Sequence, residues 1–158
     1  MTKVTGNEQE NTILIRSAEE RDFDALMEIE KFSFSDGGWS ERVMRDALSE
    51  SHTRVLVAEK NGEVLGFTVT SLVIDESELL DIAVRESRRG EGIGRVLLTE
   101  ALEDLRSRGA IVTFLEVREH NTTAVGLYES AGFTQYGKRK GYYQAPLEDA
   151  ILYIKKYE

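Results

Sequence analysis

The sequence has no cysteine, one proline and two histidines among its 158 residues. The missing cysteines exclude disulfides, thiolate metal sites and a cysteine nucleophile. Two separate histidines, His52 and His120, are too few for a zinc cluster, so we expect no metal. No apolar run approaches the ~20 residues that a membrane helix needs. The first ten residues, MTKVTGNEQE, lack the apolar core of a signal peptide. We therefore expect a cytoplasmic protein with no membrane partner.

Positive charge is also scarce. The chain carries 20 lysines and arginines against 29 aspartates and glutamates, for a net charge of −9. Nucleic-acid binding depends on a basic face that neutralises phosphates. The one basic cluster, Lys138-Arg139-Lys140, is too short to supply such a face, which argues against a nucleic-acid partner.

The spacing of apolar residues predicts one domain over 12–158, after a disordered tail over Met1–Asn11. The predicted order is strand, two helices, three strands, helix, strand, helix and two strands, which is a mixed α/β sheet with helices on its faces. The predicted strands cover 12–16, 53–59, 63–74, 79–84, 111–117, 133–137 and 150–156, and the helices cover 23–34, 41–48, 93–108 and 122–130.

Local signals refine the helices near the start of the chain. Ser17, with Glu20 three residues later, is expected to cap the first helix. Ser40 is expected to cap the second, with Val43 and Leu48 turned inward.

Turn signals and apolarity refine the rest. Asn61-Gly62 predicts a hairpin, and Gly109 and Gly132 are expected to end the last two helices. The near-continuous apolarity of 111–117 predicts a strand buried on both faces.

The stretch RRGEGIGRVLLTEAL, residues 88–102, joins a predicted strand to a predicted helix and has three glycines within five residues. A helix N-terminus offers unpaired N–H groups and partial positive charge, and glycines allow close approach to it. Arg88, Arg89 and Arg95 add charge that suits a phosphate or pyrophosphate.

Three anion-binding motifs compete for this turn. A P-loop needs a lysine that is missing here. A dinucleotide fingerprint needs a glycine where Leu97 stands, and it belongs near the first strand. The third pattern, R-x-x-G-x-G, is met by Arg89, Gly92 and Gly94. It resembles the acetyl-CoA pyrophosphate loop of the GNAT N-acetyltransferase superfamily.

Other segments extend this resemblance to roughly Ile13–Tyr153. LEVREHNTTAVGLYESAGF (115–133), GYYQAPLEDAILY (141–153) and F-S-x-x-x-W-S (34–40) are similar to the RimI-type members, the ribosomal-protein alanine N-acetyltransferases. The resemblance implies the GNAT fold, a mixed and mostly antiparallel sheet of six to seven strands flanked by about four helices. It also implies acetyl-CoA as co-substrate and the N-terminal α-amine of a protein, here a ribosomal protein with N-terminal alanine, as acceptor.

The resemblance also assigns roles to residues. Glu116, within the apolar strand VTFLEV, would be the general base, and the Tyr128 phenol would be the acid that protonates the leaving thiolate. Transfer would be direct, because no cysteine can carry an acetyl group. The implied acetyl-CoA-binding residues are Ile82, Ala83, Val84, Arg89, Gly90, Glu91, Gly92, Ile93, Gly94, Arg95 and Asn121.

On the acceptor side, the resemblance implies peptide contacts by Phe34, Trp39, Tyr142 and Tyr143. Many relatives have proline before the tryptophan where this chain has Gly37-Gly38, which predicts a floppier loop.

Three acidic residues could offer negative charge to a basic acceptor peptide. Glu76, Glu78 and Asp81 are expected to form a solvated acidic hairpin rather than a peptide site. The histidines, His52 and His120, are expected on the surface.

Structural alternatives stay open for several of these residues. Glu116 could be an outward glutamate paired with Arg118, Tyr128 a packed aromatic, Asn121 a helix cap and Trp39 a core residue. For the whole chain, the alternatives are acetylation of a lysine, a polyamine or another small amine, a non-catalytic acyl-CoA-binding module, and a dinucleotide enzyme. We expect a monomer or weak dimer.

Overall fold

Seven strands form a single sheet in the computed structural model, which describes residues 12–34, 37–144 and 146–157. The expected tail over Met1–Asn11 lies outside these residues. The strands are β1 (Leu14–Ser17), β2 (Thr53–Lys60), β3 (Glu63–Val73), β4 (Glu76–Val84), β5 (Val112–Arg118), β6 (Thr134–Gln144) and β7 (Leu147–Lys156). The α-helices are α1 (Phe23–Ser33), α2 (Glu41–Ser49), α3 (Ile93–Ser107) and α4 (Thr122–Ser130), and short 3₁₀ turns cover Glu20–Asp22 and Glu86–Arg88.

The strands lie in the order β1-β2-β3-β4-β5-β7-β6. The β4–β5 pair is parallel and the other described pairs are antiparallel. The predicted hairpin at Asn61-Gly62 is confirmed, because both residues have positive φ, as a tight turn between twisted strands requires. The predicted element order and the mixed, mostly antiparallel sheet are confirmed.

Helices cover both faces of the sheet. On one face, α1 and α2 bury Leu26, Ile29 and Met44 against β2, β3 and Ala83 of β4. On the other face, α3 and α4 pack over two further apolar clusters, which include Leu98 and Tyr128. The sheet is therefore the middle layer of three, and its centre is closed to water except where strands separate.

The middle of the sheet has a β-bulge in β4 and a separation between β4 and β5. Thr70 pairs with Leu79 and Val69 with Asp81, so Leu80 is an extra residue in β4. The β4–β5 ladder has three pairs and ends at Glu78↔Phe114, although both strands continue. The strands diverge beyond that point and leave a gap between the bulge of β4 and the second half of β5.

Two predictions near the start of the chain are wrong. Ser17 is the last residue of β1 rather than a cap, because Glu19 and Asp22 form a reciprocal capping box for the 3₁₀ turn. Val43 is 44% exposed, and Met44 and Ala47 are the buried residues of α2. Ser40 does cap α2, since its hydroxyl accepts the Val43 N–H at 3.3 Å.

The last strands also differ from prediction. β4, β6 and β7 are longer than expected, since β6 and β7 form one long hairpin that runs past the expected ends. β5 is not buried on both faces. Leu115 and Val117 pack under α4, whereas Phe114 and Arg118 are half-buried and Glu116 is exposed on the other face.

No helix among the described residues is long and apolar enough to cross a membrane. In the same part of the chain, no group of three or more histidine, aspartate or glutamate side chains could hold a metal ion.

Candidate active site

The glycine turn leads directly into α3. Gly90 and Gly92 have φ of +82° and +83°, a conformation that other residues adopt at a cost. Gly92 is the N-cap and supplies no side-chain cap to the helix. A Cβ at Gly90 or Gly92 would meet no atom within 4 Å, so this turn lies open. The turn therefore presents the first N–H groups of α3 to any anion that approaches.

The arginines predicted around this turn are hydrogen-bonded to residues of the neighbouring elements. Arg89 donates to the Val84 carbonyl at 3.2 Å and to the Ser33 hydroxyl at 3.4 Å. Arg95 donates to the Ser130 hydroxyl of α4 at 3.1 Å. Both guanidiniums flank the start of α3 and are exposed enough to meet an anion there.

Two other predicted donor-side residues have structural roles in the turn. Glu91 lies 3.8 Å from Arg88 and partly neutralises it. Ile93 is buried beneath the start of α3, so its side chain fixes the helix rather than facing solvent.

The end of β4 borders the gap. Ile82 and Val84 pack toward α3, while Ala83 packs toward α1. One edge of this segment pairs with β3. The other edge faces the separation from β5, so its backbone groups are placed to pair with an extended ligand in the gap.

Glu116 stands on the open face of β5, with its side chain 33% exposed. The Tyr142 hydroxyl donates a hydrogen bond to it, and this bond raises the pKa of Tyr142. Arg139 lies 3.8 Å from the same carboxylate. Arg118, the partner of Glu116 in the structural alternative, donates to Glu148 at 3.3 Å. The carboxylate is thus held at the edge of the gap by groups of β6.

Tyr142 and Tyr143 lie next to this carboxylate. Their rings meet edge-to-face at 5.0 Å. The guanidinium of Arg118 lies over the Tyr143 ring at 4.2 Å and that of Arg139 over the Tyr142 ring at 5.2 Å. Burial, with Glu116 nearby, raises the pKa of Tyr143 to about 12. Both phenols are therefore neutral donors at physiological pH.

Tyr128 is buried in α4 on the opposite face of the sheet. Its ring packs edge-to-face on Phe133, which follows the helix end at Gly132. Burial raises the pKa of Tyr128, and the nearby Asp81 and Tyr143 add smaller contributions in the same direction. Asp81 lies on β4 and Tyr143 on β6, so their influence on Tyr128 is consistent with a hydroxyl that faces the gap. Tyr128 can therefore pack in the core and also present its hydroxyl to the gap.

The residues before α4 have clear structural roles. Asn121 caps α4, since its side-chain oxygen accepts the Ala124 N–H at 3.2 Å. His120 is 82% exposed, as expected, and both its N–H and its ring contact the Glu148 carboxylate. His52 is likewise at the surface, beside Glu50. Neither histidine contacts Glu116 or Tyr128 in the described residues.

Phe34 and Trp39 flank the predicted acceptor loop and are half-buried against the α1–α2 core. Ser35 and Asp36, within this loop, lie outside the described residues. The Trp39 N–H donates to Glu30 Oε2 at 2.8 Å. The floppier loop at Gly37-Gly38 stays a prediction, and Trp39, which follows these glycines, is hydrogen-bonded to α1.

Sequence reasoning missed Glu30 and misjudged Asp81. Glu76 and Glu78 are exposed, as expected, but Asp81 is 7% exposed. Leu79 packs with the α3 and α4 side of the sheet. The bulge at Leu80 reverses the faces of the residues that follow, so Asp81 lies on the α1 side, toward Glu30. Glu30 had a visible signal, because it falls four residues after Leu26 on the apolar face of α1.

Comparison with known proteins agrees with this geometry. Residues 23–133 match the acetyltransferase (GNAT) family. The chain belongs to this family and is an N-acetyltransferase.

Within the family, the chain is similar to ribosomal-protein alanine N-acetyltransferases. It is 35% identical over 140 residues to the [ribosomal protein bS18]-alanine N-acetyltransferase of Escherichia coli, covering 87% of this chain and 93% of that protein. The crystal structure of the ribosomal-protein-S18-alanine N-acetyltransferase from Escherichia coli matches with TM-score 0.85 and 33% identity, covering 92% and 94% of the two chains. The ribosomal-protein-alanine N-acetyltransferase from Brucella melitensis matches with TM-score 0.81 and 28% identity, covering 91% and 99%. The RimI-type resemblance and the GNAT fold are confirmed.

Proposed function

We propose that this protein transfers the acetyl group of acetyl-CoA to a protein N-terminal α-amine, with the N-terminal alanine of a ribosomal protein as the acceptor. The observation that carries the proposal is the Glu116 carboxylate, held by Tyr142 on the open face of β5 beside the β4–β5 gap. The printed names of the similar enzymes support the choice of acceptor.

The donor side fits a pyrophosphate and an extended chain. The open turn at Gly90 and Gly92 presents helix N–H groups, and Arg89 and Arg95 flank them. The free edge of Ile82–Val84 offers backbone groups for the amides of a pantetheine arm. Asn121, the N-cap of α4, would contact the same arm. Acetyl-CoA would supply an activated acetyl thioester at this place.

Glu116 would accept the proton that an ammonium must lose before its nitrogen can attack. An α-amine has a pKa near 8 and a lysine amine near 10.4, so an α-amine requires about 3 kcal/mol less to deprotonate at a given pH. A partly exposed carboxylate, acting directly or through one water, suits the weaker demand.

Tyr128 would give its proton to the leaving sulfur. Its raised pKa keeps the phenol protonated, and a thiolate, whose pKa is near 8.5, leaves more easily when a donor is in place. Tyr142 and Tyr143, with Phe34 and Trp39 across the gap, would bind the backbone of the acceptor peptide.

Free-CoA release from acetyl-CoA tests the proposal with three sets of acceptors. The first set is peptides with a free N-terminal alanine, the second is the same peptides with blocked N-termini and internal lysines, and the third is small amines, including polyamines. We expect turnover with the first set and none with the other two.

Turnover on blocked peptides or small amines would contradict the α-amine proposal and leave the family membership intact. Acetyl-CoA binding without turnover on any set would favour a non-catalytic acyl-CoA-binding module. Binding of NADH without binding of CoA would favour a dinucleotide enzyme.

A further inference from the structure

Two carboxyl groups are buried against each other beside the gap. Glu30 of α1 is 1% exposed and Asp81 of β4 is 7% exposed. Their side chains are in hydrogen-bonding contact. Neither has a cationic partner among the described residues, which sets them apart from Asp22, whose buried carboxylate binds Arg16 at 2.8 Å. Two ionised carboxylates in this position would repel each other strongly.

The buried oxygen atoms of the pair lack donors, which favours a proton shared between the two carboxyl groups. Glu30 Oε1 and Asp81 Oδ2 are both buried, and no donor reaches either atom within the described part of the chain. A proton on one carboxyl would satisfy both atoms at once.

The groups around the pair place this proton on Asp81. The Asp81 carboxyl faces Glu30 from α1, the Ile82 N–H of its own strand and the neutral Tyr128 phenol of α4. Its neighbour in β3 is the apolar Val69. Burial, reinforced by Glu30, raises the pKa of Asp81 well above its usual range. These surroundings favour Asp81 as the member that carries the proton and donates it to Glu30.

The other oxygen of Glu30 holds the acceptor loop. Glu30 Oε2 accepts the Trp39 N–H at 2.8 Å. A Cβ at Gly38 would lie 2.4 Å from the same oxygen, and Gly38 has φ of +68°. Glycine at 38 is therefore what lets the Glu30 carboxylate sit directly beneath the loop.

We propose that Asp81 and Glu30 are positioning residues that share one proton and tie the acceptor loop at Gly38-Trp39 to the bulge of β4. The tie connects the strand that borders the donor to the loop that flanks the acceptor. The connection through Asp81 and Glu30 does not depend on the proposed function. Its effect on the binding of the acceptor does rest on that function.

Trp39 is the only tryptophan in the sequence, so its fluorescence reports on the loop without any substrate. Acrylamide quenching would be compared in the native chain, Asp81→Ala and Asp81→Asn. Alanine leaves Glu30 Oε1 buried without a donor, and we expect the quenching constant to rise about twofold or more. Asparagine keeps an N–H donor for Glu30, and we expect quenching close to that of the native chain.

Asp22→Asn is the matched control, because it also alters a buried carboxyl but one bound to Arg16 away from the gap. It should lower the unfolding midpoint and leave Trp39 quenching unchanged. Equal quenching in Asp81→Ala and the native chain would overturn the proposal. Failure of asparagine to restore native quenching, with circular dichroism still native, would overturn it equally.

Steady-state kinetics separate this proposal from the proposed function. Where an acceptor peptide turns over, Asp81→Ala should raise its KM about tenfold and leave the KM of acetyl-CoA unchanged, because Gly38 and Trp39 belong to the proposed acceptor side. Altered quenching without turnover on any N-terminal peptide would contradict the proposed acceptor and support the tie. Turnover with unaltered quenching and KM would support the acceptor and contradict the tie.

Discussion

The donor side and the acceptor side of the gap differ in which part of the chain they present to a ligand. The donor side consists of backbone, namely the open turn at Gly90 and Gly92 and the free edge of Ile82–Val84. The acceptor side consists of side chains from distant segments, among them Glu116 of β5 and Tyr142 of β6. Backbone sites tolerate changes that preserve φ and ψ, whereas a side-chain site depends on each functional group. Substitutions should therefore cost more on the acceptor side and at the reacting centre than on the donor side.

The largest effect is expected for Tyr128→Phe. The ring still packs on Phe133, but the proton donor is lost, so kcat should fall about 100-fold or more with little change in either KM. Tyr153→Phe is the matched control, because Tyr153 is also buried and its hydroxyl binds Glu129 at 3.2 Å away from the gap. A loss of similar size in both variants would contradict the role of Tyr128 as acid.

Glu116→Gln should lower kcat/KM about 10- to 100-fold near neutral pH, because an amide cannot accept the proton of the acceptor. The deficit should shrink as pH rises past 8, where the α-amine loses its proton without help. Rates across pH 7 to 9.5 would check this. Glu103→Gln, at an exposed pair with Arg106, should change the rate less than about twofold. A deficit independent of pH would contradict the role of Glu116 as base.

Asp81→Asn should change how stability depends on pH. The folded-state pKa of Asp81 lies above its unfolded value near 3.9, so the folded chain binds an extra proton between these two pKa values. The free energy of unfolding should then fall as pH rises through this interval, by up to about 1.4 kcal/mol per pH unit.

Asparagine removes this contribution, so the free energy of unfolding of Asp81→Asn relative to the native chain should rise with pH from about 4 up to the folded-state pKa of Asp81, as measured by urea unfolding. Asp22 provides the opposite case. Its hydrogen bond with Arg16 lowers its pKa, so its contribution is present at neutral pH and is lost as pH falls through the acid range. An advantage of Asp81→Asn that stays constant with pH would contradict the shared proton.

The smallest effect is expected for Gly92→Ala on the donor side. Alanine at φ of +83° costs about 1 kcal/mol, and no neighbour blocks its Cβ, so acetyl-CoA affinity should weaken about fivefold with kcat almost unchanged. Gly109→Ala imposes similar strain at φ of +103° beyond the other end of α3 and should leave that affinity intact. Calorimetric titration with acetyl-CoA would check both. Equal affinity in Gly92→Ala and the native chain would contradict the use of this turn.

The same contrast explains what could be predicted from the sequence. The donor turn lies in one contiguous stretch, so glycine spacing and a following helix reveal it. The acceptor side depends on contacts between distant segments, such as Glu116 with Tyr142 and Glu30 with Asp81. The position of Asp81 on the α1 face, opposite to that of Leu79, follows from the bulge at Leu80, which a period of two residues does not reveal.

The wrong predictions for Ser17 and for β5 each have a cause in the neighbouring structure. Ser17 with Glu20 matched a capping pattern, but β1 extends through Ser17 by pairing with Leu56, and Glu19 with Asp22 then caps the turn. The apolarity of β5 indicated a strand correctly but could not show that one face lies open. Glu116 is accessible because that face is uncovered.

The central claim is that the acceptor is an N-terminal α-amine. The most direct test is a single peptide with both a free N-terminal alanine and an internal lysine, incubated with the protein and acetyl-CoA and then sequenced by tandem mass spectrometry. The account predicts one acetyl group on the alanine nitrogen and an unmodified lysine. Acetylation of the lysine side chain in preference to the N-terminus would contradict it.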